Sequence, residues 1–70
     1  MKKVIYKGIP CTLLEDYLGQ KEYSIVMIQS PKDLEKAYAL GFRCIGYPSE
    51  VAKEITKEER KILLEKGKLQ

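Results

Sequence analysis

At 70 residues, with 44% hydrophobic and 33% charged residues and a net charge of +3, the chain is sized for a single domain covering residues 1–70. A domain this small buries only about 60% of the surface its unfolded chain exposes, which leaves little core to give up to a deep pocket of roughly 300 Å³ or more. No apolar run approaches the ~18 residues of a membrane span. The composition therefore argues against a classical enzyme and against a transmembrane protein, and favours a cytoplasmic domain.

The chain begins Met1-Lys2-Lys3-Val4-Ile5-Tyr6-Lys7. Its apolar stretch stops at Lys7, far short of the roughly 7–15-residue hydrophobic region of a secretory leader, and reads as a first strand. Residues 3–7 and 9–14 form a hairpin, with Gly8 supplying the positive φ of a tight turn. On the return strand Ile9, Cys11 and Leu13 share one face, and Pro10, Thr12 and Leu14 the other. Pro10 has no N–H to give a ladder, so its imino side belongs at an open edge or a bulge. Lys2, Lys3 and Lys7 carry the whole net charge, since the remaining residues sum to zero. Lysines of this kind blunt a solvated edge strand, or meet an acidic partner or nucleic acid.

Residues 15–22 are polar and turn-rich, with Gly19 at the bend and Tyr17 and Leu18 as the sole anchors. Residues 23–28 are almost continuously apolar, the pattern of a central strand buried on both faces. Ser30 caps a helix whose first position is Pro31 and whose first turn contains Asp33. Leu34, Ala37 and Tyr38 follow helical spacing, and Gly41 closes the helix. Residues 42–47 are the next strand, with Phe42 and Cys44 on one side and Arg43, Ile45 and Tyr47 on the other. A strand, helix and strand so connected make a parallel, right-handed unit.

Residues 50–55 admit two readings. In the favoured one Ser49 caps a short helix that buries Val51, Ala52 and Ile55; in the other, residues 50–55 are a strand. Thr56-Lys57-Glu58-Glu59 is a capping box that opens a helix to about Lys66, closed by Gly67, after which residues 68–70 fray. The expected fold class is α+β: a small two-layer domain of an N-terminal β-hairpin, a right-handed β-α-β unit and a C-terminal helix. The alternative is a small SH3-like barrel with residues 50–55 as its last strand.

The chemistry available is sparse. With no His, the commonest general base and any Ser-His or Cys-His pair are missing. Cys11 and Cys44 alone cannot make a four-ligand zinc site, and both read as small buried hydrophobes. Glu15-Asp16 reads as a solvated loop and Glu58-Glu59 as helix-start charge, because adjacent helix residues do not face each other. The loops after the two strands of the crossover unit lack a glycine-rich phosphate fingerprint, so Ser30 and Ser49 read as plain caps. No catalytic, cofactor-binding or metal-ligating residue is assigned.

The remaining class is a non-enzymatic interaction or regulatory module that binds a protein partner or itself. The strand Lys2 to Lys7 offers an edge for strand addition. Ile62-Leu63-Leu64 spans too wide an arc for one buried stripe, which leaves an apolar residue for a partner. The candidate contact residues are Tyr17, Leu18, Leu63 and Leu64. The alternative is a nucleic-acid binder using Lys3, Lys7, Arg43 and Tyr47, in which basic residues meet phosphates and exposed tyrosines stack on bases.

Overall fold

The computed structural model describes residues 2–46 and 50–70. The hairpin forms as its sequence dictates. Strands β1 (Lys2–Tyr6) and β2 (Ile9–Leu14) pair antiparallel around Lys7 and Gly8, both at positive φ (49° and 86°). Two left-handed residues give a two-residue turn whose twist matches that of the strands. Strand β3 (Ser24–Ile28) pairs antiparallel with β2. Its start, centre and end are buried on both faces, as its continuous apolar run requires.

At the end of β3, the Ser30 Oγ accepts a hydrogen bond from the Lys32 N–H, and Pro31–Asp33 form a 3-10 turn leading into helix α1 (Leu34–Ala39). Gly41, at φ 98°, turns the chain back toward the sheet. The strand that follows, β4 (Arg43–Cys44), is only two residues long. Tyr47 and Ser49, expected at the strand's end and at a helix cap, lie outside the described residues.

Residues 50–55 are not helical. They form β5 (Val51–Ile55), which pairs antiparallel with both β3 and β4. The β-branched Val51 and Ile55 suit a strand, and pairing with β3 and β4 satisfies its backbone on both sides. Strands β3 and β4 therefore run in the same direction, as the crossover predicts, but with β5 between them. The carboxyl ends of β3 and β4 are thus separated by a strand.

Helix α2 (Lys57–Lys66) starts with the predicted capping box: Glu59 N–H donates to Thr56 Oγ1 at 3.1 Å, and Thr56 N–H to Glu59 Oε1 at 3.0 Å. It ends at Gly67, φ 73°. The Lys2 ammonium donates to the Leu64 carbonyl at 2.7 Å, placing a cation at the negative end of the helix. The residues after Gly67 do not fray. Lys68–Leu69 form β6, parallel to β1, and the N–H groups of Ile5 and Lys7 donate to Gly67 and Leu69 carbonyls at 3.0 and 2.6 Å. β1 is thus not the open edge its lysines suggested, because β6 covers the half nearest the hairpin turn.

Among the described residues six strands make one mixed sheet in the order β4-β5-β3-β2-β1-β6, with the helices on one face. The sheet stays open between its β4 and β6 edges, so the fold is a two-layer α+β domain and not a barrel. The core lies between sheet and helices: Val4, Tyr6, Ile9, Cys11, Leu13, Val26, Ile28, Val51 and Ile55 from the strands, joined by Ala37, Phe42 and Leu63. The Tyr6 and Phe42 rings meet edge to face at 5.8 Å. Pro10 sits opposite Gln29, one residue past the end of β3. It accepts the Gln29 N–H but returns none, so the missing donor falls where the ladder ends.

Candidate interaction surface

The pairing registers put a second set of side chains on the face that no helix covers. One row crosses five strands: Lys3, Thr12, Met27, Ala52 and Arg43 are successive partners. Leu14, Ile25 and Glu54 make the next row. Ile5 lies on this face between Pro10 and Lys68. Ile25 and Ala52 are buried here although no helix lies above them. They floor a shallow hollow of about 360 Å³ whose walls are Tyr17 and Tyr23 on one side and Arg43 and Ile45 on the other.

Residues 15–23 build the tyrosine wall. Asp16, Leu18, Gly19 and Glu22 all have positive φ (49°, 58°, 73° and 65°), so three non-glycine residues of one short loop adopt a conformation L residues disfavour. The loop is held by specific bonds. Tyr17 N–H donates to the Tyr23 carbonyl and Glu22 N–H to Asp16 Oδ1, each at 2.6 Å. Glu22 also pairs with Lys57 at 3.0 Å and Arg60 at 3.6 Å on α2. The Tyr17 and Tyr23 rings lie 6.1 Å apart. What the loop presents is Leu18, 72% exposed.

The expected contact residues divide. Tyr17 and Leu18 lie together on this loop. Leu63 is fully buried in the core, so it holds α2 to the sheet and cannot meet a partner in this fold. Leu64 is half-buried against the same core. Lys3 and Arg43 stand at opposite ends of one row of the open face, and Lys7 is exposed at the hairpin turn. Tyr47 lies outside the described residues. Ile45, 43% exposed beside the hollow, was not anticipated. Its alternation with Arg43 was legible, but the exposure of that face was not. Cys11 is buried as expected, whereas Cys44 is exposed because β4 is a short edge strand; no disulfide joins them.

Three titrating groups are perturbed, all on the helix-covered side. Burial raises the Tyr6 phenol above its ordinary range, and its hydrogen bond to Glu59 Oε2 at 2.9 Å adds to the effect. Burial also pushes the Cys11 thiol up to about 12, helped by the negative charge of Asp33. Burial would raise Glu59, but the Thr56 N–H, the Tyr6 hydroxyl and the nearby Lys53 and Lys7 ammonium groups outweigh it and hold the carboxyl below its usual value. These groups act in the structure: Tyr6 ties β1 to the start of α2, and Cys11 is too basic a thiol to be a nucleophile at neutral pH.

Among the described residues no cluster of three His, Cys, Asp or Glu is placed to hold a metal, and no helix is long and apolar enough to cross a membrane. The fold and this surface define a small α+β domain with an open sheet face rimmed by a strained loop. Compared with family models, with curated proteins and with solved structures, the chain matches none.

Proposed function

We propose that the chain is a small non-enzymatic interaction module of the cytoplasm, which binds another protein chain, a partner or a second copy of itself, with Leu18 as an anchor. The observation that carries this reading is the cost of presenting Leu18. A leucine at φ 58° is strained by about 1 kcal/mol or more, and a side chain 72% exposed recovers little of that cost by packing. Strain that positions an exposed apolar side chain on a bonded loop is the arrangement of a contact residue.

Leu18→Gly separates binding from folding. Glycine accepts this backbone without strain, so the variant should melt at an equal or higher temperature than the parent. Tagged parent and variant are incubated with nuclease-treated native lysate. A defined protein retained by the parent and lost from the equally stable variant supports the reading; equal retention by both removes Leu18 from it.

Nucleic-acid binding is the second reading, favoured by one observation. Lys3, Arg43 and Lys68 lie on the open face with Lys7 at its border, and Glu54 is the one acidic strand residue there. Against it, the aromatic residues of this face, Tyr17 and Tyr23, stand at the hollow beside β4 and β5, away from the lysines of the β1–β6 side. Material lost on nuclease treatment, with affinity falling steeply as salt rises, would favour this reading.

A further inference from the structure

We propose that a second copy of this chain covers the β4–β5 end of the open face, in a two-fold dimer where Arg43 of each copy pairs with Glu54 of the other. The inference rests on the interaction-module reading and names one occupant for this part of the surface.

Arg43 and Glu54 are exposed, of opposite charge, and on the same face of neighbouring strands, Glu54 lying two residues along β5 from Ala52, the partner of Arg43. Among the described residues neither forms an ion pair within the chain: the Arg43 guanidinium donates to the Phe42 carbonyl at 3.0 Å, and the Glu54 carboxylate has no side-chain partner. A two-fold axis in the interface plane, passing midway between two such residues, sets each against its opposite in the other copy. The patch is therefore complementary to itself, as an isologous contact must be. Beside the charges lies apolar surface that two copies would remove from water: exposed Ile45 and the half-buried Tyr17 and Tyr23 that wall the hollow.

The distribution of the other charges favours this end over the rest of the face. Lys3, Lys7 and Lys68 belong to the β1–β6 side, at the opposite end of the sheet from β4. The strands of that side carry lysines and no acidic residue, so it is not complementary to itself, whereas the β4–β5 end is.

The test uses two charge reversals at exposed positions, Arg43→Glu and Glu54→Arg, followed by sedimentation over a concentration series. The parent is expected to show a monomer–dimer equilibrium that weakens with salt. Each variant alone sets like charges against one another at both contacts, and should dimerise at least ~10-fold more weakly. An equimolar mixture of the two variants restores both opposite-charge contacts and should dimerise again, as a heterodimer. Circular dichroism of each variant checks that the fold is kept. A parent that stays monomeric throughout the series, reversals that leave its association unchanged, or a mixture no more associated than its components would each overturn the proposal. A chain that stays monomeric yet captures a partner through Leu18 overturns the dimer alone and leaves the module reading intact.

Discussion

Tyr6 and Glu59 join sheet and helix through one hydrogen bond, and their titrations are linked to stability in opposite directions. Glu59 is held below its unfolded value, so its contribution is present above about pH 4.3 and is lost as the pH falls through the folded value. Tyr6 is raised, so its contribution is present below about pH 10 and is lost as the pH rises further. Urea melts should show Tyr6→Phe about 1.5 kcal/mol less stable than the parent at neutral pH, the low end for a bond to a charged group because Glu59 also reaches water. The difference should shrink below about pH 4 and above about pH 10. A constant difference across the range would mean that the phenol acts by packing alone. Leu63 carries a related lesson: an Asp there tests folding and not binding, because a charge would be placed in the core.

At the scale of elements, turns and caps are legible in the sequence, whereas segments that take their form from distant partners are less so. Ser30-Pro31, the Thr56-Glu59 box, Gly67 and the Lys7-Gly8 turn act within a few residues of themselves, so their chemistry is complete in the sequence. Residues 51–55 and 68–69 take their form from distant partners. β5 exists because β3 has an unpaired edge, and β6 because the outward N–H groups of Ile5 and Lys7 need acceptors. Leu69 packs half-buried on the core and holds β6 in place. Leu69→Ala should cost about 1 kcal/mol. It should also speed amide exchange at Ile5 and Lys7 while leaving Val26 nearly unchanged. Uniform acceleration at all three would show that β6 opens only with the whole domain.

At the scale of the whole molecule, the domain has two differently built faces. One is closed by α1 and α2 over the core; the other is left to a strained loop and a short edge strand. Cys11 lies wholly within the closed side, its thiol raised by burial. A thiol reagent should therefore label Cys11 only through global opening, at a rate that follows unfolding in denaturant. Fast labelling of Cys11 in the native protein would mean that the β2–α1 side opens locally.

By itself the sequence determined the α+β class, the hairpin, the centrality of β3, the Ser30-capped turn ahead of α1 and both caps of α2, because periodicity and capping are local physics. It also singled out Tyr17 and Leu18, since a lone apolar pair in a polar loop is visible without coordinates. Only the tertiary structure decided that β5 enters between β3 and β4, that Leu63 faces inward and Ile45 outward, and that Arg43 and Glu54 share an uncovered face. Those outcomes depend on which distant strand satisfies an edge and which face the helices cover, and the free energy of that choice belongs to the packed sheet as a whole.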